Sequence, residues 1–204
     1  MSLNTTGQSS YIPQSLTGKG LEAECAMSMV PHIQNKECHF SRYGVNMSVM
    51  KDSTAPGGIR YQPQKSLPDF EGIFPGGRQF LFDCKSCSGP NYRVKNDIEN
   101  NNKQRQLSHL RNRGALGAIS GFVIHFNYRG PETGLKTRTE PAGTFWFPCK
   151  PNRFWIEFDA GQVTSIGRDL CEHYGTAIEW HIPKGCRRPR PMLFETLLDL
   201  MDSD

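Results

Sequence analysis

An α/β domain, with a mixed central β-sheet flanked by helices, is the fold class this sequence predicts, and three observations predict it. Apolar residues recur every fourth position near residue 20, as on one face of a helix. Two short apolar runs around a Gly-rich turn, at residues 69–85, read as a pair of strands. A polar stretch with Leu107 and Leu110 on one face then precedes a continuous apolar run, as a helix would precede a buried strand.

Taken in order, the first 17 residues are polar and aperiodic and read as a flexible N-terminal arm, with residues 18–204 as one domain. Leu21, Cys25 and Met29 predict a helix, entered after Gly18-Lys19-Gly20 and ending at about Pro31. From Cys38 to Met50 the period-two set Phe40, Tyr43, Val45, Met47 and Val49 predicts a strand. Asp52 to Pro68, rich in Gly, Pro, Ser and Gln, predicts a loop. Asp69–Phe74 and Arg78–Lys85 flank Pro75-Gly76-Gly77 and predict a hairpin. A polar loop is expected through Asn102, a helix over Gln104–Arg113 and a buried strand over Gly121–Phe126. The aromatic stretch Thr144–Phe158 predicts two more strands. Pro191–Met201 predicts a last helix, with Leu193, Phe194, Leu197, Leu198 and Met201 on one broad face. No internal repeat interrupts this order.

Composition narrows the class without naming it. The 204 residues suffice for one domain with its own core, which needs no disulfides to fold. A formal net charge of +4 is compatible with a polyanionic partner but does not require one. The opening residues predict no export signal, and no apolar run approaches the roughly 20 residues that span a bilayer. The chain is therefore expected to be soluble and cytoplasmic. Its seven cysteines, odd in number and scattered, are then expected as reduced thiols.

The chemistry concentrates at Asp83-Cys84-Lys85, the polar end of an apolar strand. Residues two apart on a strand share a face, so Asp83 and Lys85 project together while Cys84 points to the other side. The hairpin should bring Asp69, at the far end of the first strand, beside Asp83. Two carboxylates meeting there can hold one hard divalent cation, whose shell backbone carbonyls and waters complete. Mg²⁺ (or Mn²⁺) in that position suits hydrolysis of a phosphodiester, with Lys85 holding the water or offsetting charge in the transition state. The expected metal positions are Asp69, Asp83 and Cys84.

Four segments in series carry a resemblance: Pro68-Asp69-Phe70-Glu71-Gly72, Phe82-Asp83-Cys84-Lys85, Gln106-Leu107-Ser108-His109-Leu110 and Gly121-Phe122-Val123-Ile124. With Gly18-x-x-Leu21-Glu22 upstream, the series over residues 18–126 resembles the RecU family of Holliday-junction resolvases, within the PD-(D/E)xK nuclease superfamily. The resemblance implies a restriction-endonuclease-like core and a Mg²⁺-dependent DNA endonuclease of recombination and repair. It implies that Asp69 and Asp83 bind metal, Lys85 is the catalytic lysine, Glu22 lies beside the metal and Gln106 is a polar group of the active site. His109 shares the helix face of Gln106 and is expected to contact DNA or to cap the cleft. A branched, four-way-junction substrate and a homodimer are implied, since a resolvase cuts two strands symmetrically. The chain departs from the family in three places. Asp83 stands where the family has glutamate, Thr17 where it has a basic residue, and the stretch Val49–Pro68 is shorter than the family's junction-gripping stalk.

Other readings remain open at this level. A nuclease of the same fold acting on linear duplex or flap DNA fits the same residues, as does a DNA-binding module without catalysis. Basic residues at Lys19, Lys103, Arg105, Arg111 and Arg113 flank the expected site and could contact phosphates. A second cluster, Lys184, Arg187, Arg188 and Arg190, is interleaved with prolines and reads as an extended basic arm. Cys84-x-x-Cys87, taken with Cys171, His173, His181 and Cys186, can be drawn as a zinc site. Cys84 lies inside a predicted strand rather than on a knuckle turn, however, and the distal spacings are irregular.

Overall fold

The structure, a computed structural model, describes residues 12–42, 47–51, 54, 57, 59–63, 67–127 and 142–202. Six helices and a six-stranded mixed sheet form its body, as an α/β domain. The helices are α1 (Gly18–Gln34), α2 (Val94–Glu99), α3 (Asn101–Ala115), α4 (Arg153–Asp159), α5 (Arg168–Tyr174) and α6 (Leu193–Asp202). The sheet runs, edge to edge, through β1 (His39–Arg42), β4 (Phe70–Ile73), β5 (Gln79–Cys87), β7 (Ile119–Phe126), β8 (Gly143–Pro148) and β10 (Thr176–Ala177). Three two-stranded ladders complete it: β2 (Met47–Lys51) with β3 (Ile59–Pro63), β6 (Asn91–Tyr92) with β9 (Ile166–Gly167), and β11 (Trp180–His181) with β12 (Arg190–Pro191).

Neighbours in the large sheet are antiparallel except β5 and β7, which run parallel and are joined by the crossover through α2 and α3. All eight residues of β7 are buried, because helices cover both faces of this central strand. On one face α1 and α6 pack Leu21, Cys25, Met29, Leu193 and Leu197 onto the sheet; on the other, α3, α4 and α5 pack Leu107, Leu110, Phe154, Trp155 and Cys171. Phe40, Phe70 and Phe82 stack across three adjacent strands with centroids 5.2 and 5.0 Å apart, locking β1, β4 and β5 in register.

Several elements differ from the sequence expectation, each for a physical reason. The strand expected over Cys38–Met50 is two strands in different sheets, β1 and β2, and residues 43–46 between them lie outside the described residues. β3 lies within the expected loop Asp52–Pro68, where its pairing with β2 overrides the polar composition. The loop expected through Asn102 contains β6 and α2. The second strand expected in Thr144–Phe158 is the helix α4: Asn152 accepts the Trp155 amide at 3.2 Å as its N-cap, and Phe154, Trp155 and Phe158 fall on one buried helix face.

Helix α1 passes through Pro31 and continues to Gln34. Proline supplies no amide hydrogen for the carbonyl four residues back, which here belongs to Met27. Arg190 donates to that carbonyl instead, Nη1 to O at 2.9 Å. The arginine read as part of a basic arm is thus bound to the fold. Residues 12–17, read as part of the flexible arm, also lie against the core. Leu16 donates its amide to Asn127 Oδ1 at 2.7 Å and accepts from the Ser86 hydroxyl, and Thr17 caps α1 by accepting the Gly20 amide. Arg190→Ala should lower the unfolding free energy by about 0.5–1.5 kcal/mol in urea denaturation, since it removes this hydrogen bond and leaves the Met27 carbonyl to water. Pro31→Ala in the same background should recover much of that loss by restoring the helix's own donor.

Candidate active site

The hairpin of β4 and β5 builds the site. Its turn closes through Phe74 and Arg78, with Gly76 and Gly77 at φ 96° and 91°, a backbone conformation that glycine adopts without strain. The register that follows pairs Gly72 with Phe80, Glu71 with Leu81 and Phe70 with Phe82. Asp69, one residue before β4, therefore arrives beside Asp83 and Cys84, and its Oδ2 accepts the Cys84 amide at 2.9 Å. Gly72 has no substitute here, because a Cβ would stand 2.1 Å from the Phe80 ring.

Asp83 is 2% exposed, and the Lys85 ammonium lies 2.5 Å from its Oδ2. Burial is the main cause that pushes the Asp69 carboxyl up to about 8. A hydrogen bond with Asp83 and that group's charge add to it, the Cys84 amide opposes it, and Glu22 adds a smaller repulsion. Asp69 therefore keeps its proton to a pH at which a carboxyl in water has lost it. Asp83 Oδ2 is buried, with the Lys85 ammonium as its close ionic contact. Two carboxyls buried against each other suit a divalent cation, which would displace the Asp69 proton and offset the charge of both groups.

The remaining expected residues fall into distinct places. Glu22, on the first turns of α1, is paired with Arg42 of β1 and acts on Asp69 only through its charge. Among the described residues no group of three or more His, Cys, Asp or Glu is arranged to hold a metal, so Asp69 and Asp83 alone form the acidic pair. Cys84, expected among the metal positions, turns its thiol toward Cys25 of α1 on the far side of the sheet, as strand alternation predicts, and burial there raises the thiol well above its usual range. It leaves only backbone atoms for the site. Cys87 packs with Cys171 on the Asp83 side, so the two cysteines of the C-x-x-C point to opposite layers and cannot share a zinc ion. Gln106 spends its amide on structure, donating Nε2 to the Leu67 carbonyl at 3.2 Å and anchoring the segment that delivers Asp69.

The basic residues of α3 divide between two faces. His109 and Arg113, with His39, Glu71 and Gln79, line a cleft of about 170 Å³ beside the hairpin. Burial, then Arg113, lowers the His109 pKa, and Glu71 opposes them. Arg111 instead points toward α4, where Asp159 takes both its terminal nitrogens at 2.8 and 2.6 Å and Trp155 underlies the guanidinium at 5.0 Å. That pairing, rather than phosphate, explains its place. Arg105 and Lys19 are exposed. Sequence reading missed Arg42 and Tyr92, whose neighbours in sequence look like ordinary strand and loop; only the register of β1 and the pairing of β6 bring them to the site.

Comparison with protein-family models returns no match, and comparison with curated proteins finds none that is similar.

The raised Asp69 pKa has a signature in stability. Asp69 has a folded pKa of about 8, above its ordinary value, so its contribution is full at low pH and is lost as pH rises through 8. Buried His125 has the opposite sign. Burial lowers its pKa to about 4, so its contribution is full above about 6.5 and is lost as pH falls toward 4. Between pH 6.5 and 8, in EDTA, the unfolding free energy should fall with rising pH, and Asp69→Asn should flatten that slope in denaturant titrations.

Proposed function

We propose that this chain is a Mg²⁺-dependent endodeoxyribonuclease of the PD-(D/E)xK type with a restriction-endonuclease-like core. Its closest functional description is a RecU-like Holliday-junction resolvase of DNA recombination and repair. The observation that carries the reading is the meeting of Asp69 and Asp83 at the end of β5, with Lys85 held on Asp83. The ordered series of motifs on α1, the hairpin, α3 and β7 supports it, since these elements converge on one end of the sheet.

Asp69 and Asp83 would hold the metal, Mg²⁺ or Mn²⁺. When bound, that ion would polarise a phosphodiester oxygen and favour hydroxide over water as nucleophile. Lys85 donates hydrogen bonds to the phosphoryl oxygens, or to the attacking water, as negative charge accumulates. Water adds to phosphorus, the bond to the leaving sugar oxygen breaks, and that oxygen takes up a proton. The cleft of His109 and Arg113 lies along the same hairpin, lined by Glu71 and Leu81, and exposed Arg105 and Lys19 offer further phosphate contacts. A homodimer supplies the two active sites that symmetric cleavage needs. No helix among the described residues is long and apolar enough to cross a membrane.

The test is incubation with a mobile four-way junction and a matched linear duplex, each in Mg²⁺ and in EDTA. Symmetric nicks confined to the junction, and only with Mg²⁺, are the expected result. Equal cutting of both substrates would replace the resolvase by a nuclease of linear or flap DNA. Binding without cutting would replace it by a DNA-binding module. Asp83→Asn should slow cleavage by at least about 10²-fold through loss of a metal ligand, while leaving junction binding in gel-shift assays intact.

A further inference from the structure

The Lys85 ammonium is enclosed on three sides. Asp83 stands at 2.5 Å, the Tyr92 ring centroid at 5.7 Å and the Phe122 ring centroid at 5.9 Å. The two rings meet edge to face, 5.6 Å apart at 64°, and so form a corner into which the cation fits. Phe122 belongs to the core strand β7, directly beside Asp83 in the register. Tyr92 does not belong to the large sheet. It sits on the two-residue strand β6, pinned opposite Ile166 of β9, and is 9% exposed.

We infer that Tyr92 is a positioning residue that holds the Lys85 ammonium on Asp83. A lysine has four rotatable bonds, and holding its stem in one arrangement costs conformational entropy. One carboxylate restrains the nitrogen but not the approach of the stem. An aromatic face attracts a cation within about 6 Å, and more strongly where water is excluded, so Tyr92, across the corner from Phe122, favours the rotamer that sets the ammonium on Asp83. Simple core packing would accept any apolar side chain of similar bulk; this role requires a π face. Tyr92→Phe keeps that face, and Tyr92→Leu keeps only apolar bulk.

The consequence for catalysis rests on the nuclease reading, but the contact itself does not. Relaxation of the Lys85 ε-methylene, in protein carrying ¹³C-lysine and assigned with Lys85→Arg, reads the contact without any substrate. Lys85 should be rigid relative to the exposed lysines in wild type and Tyr92→Phe, and mobile in Tyr92→Leu. Junction cleavage by the same proteins should show kcat reduced roughly 10- to 100-fold in Tyr92→Leu with KM little changed, and near wild type in Tyr92→Phe. A mobile Lys85 in wild type, or an equally rigid one in Tyr92→Leu, would overturn the role of Tyr92 whatever the activity. Full kcat in Tyr92→Leu would overturn it too. A rigid Lys85 that Tyr92→Leu frees, in a wild type that cuts nothing, would support the contact and overturn the nuclease reading.

Discussion

Two carboxyl groups forced together at the buried end of a hairpin are the constraint on which the rest of this structure turns. Placing Asp69 against Asp83 is unfavourable by itself, because both groups lose water and each repels the other's charge. The fold holds them there by backbone means. The Cys84 amide fixes Asp69 from the opposite strand, Gln106 fixes the segment before it, and the Lys85 ammonium offsets Asp83. Such a pair destabilises the protein at alkaline pH. A fold that accepts this cost keeps two carboxyls side by side, and the proposed cation site rests on them.

The architecture around the pair is built for rigidity. The Phe40–Phe70–Phe82 stack fixes three strands on the layer away from the acids, and the second aromatic layer, with Phe122 and Tyr92, confines the lysine on the near side. Residues 12–17 tie the start of α1 to Ser86 and Asn127, at the same strand ends as Lys85. Beneath them His125 is hydrogen-bonded to Thr144, which also accepts from the Trp180 indole, each at 2.8 Å. The polar groups at this end of the sheet are thus engaged in a network that leaves little room for rearrangement.

Where the sequence was legible, the signal was local. The hairpin announced itself through its Gly-rich turn, and β7 and α6 through continuous or helical apolar spacing. The i,i+2 rule was enough to put Asp83 and Lys85 on one face. What sequence reading missed depends on partners far along the chain. Pro31 would end a helix if Arg190, 159 residues later, did not take over the Met27 carbonyl. Aromatic residues at 154–158 fit a strand as well as a helix until the Asn152 cap decides. Arg111 and Gln106 look like substrate contacts in a list of polar residues, and only tertiary packing shows that Asp159 and Leu67 already occupy them. The acidic pair and its lysine were readable; the rings that confine the lysine were not, because nothing near Tyr92 in sequence points toward β5.

The most direct test of the central claim is anomalous diffraction from crystals of the protein grown or soaked with Mn²⁺. One strong peak is expected between the Asp69 and Asp83 carboxylates, at roughly 2.0–2.3 Å from an oxygen of each, with Lys85 on the same side of the sheet. No peak there at saturating Mn²⁺, with the two carboxylates still in contact, would contradict the assignment of this site to metal-dependent chemistry.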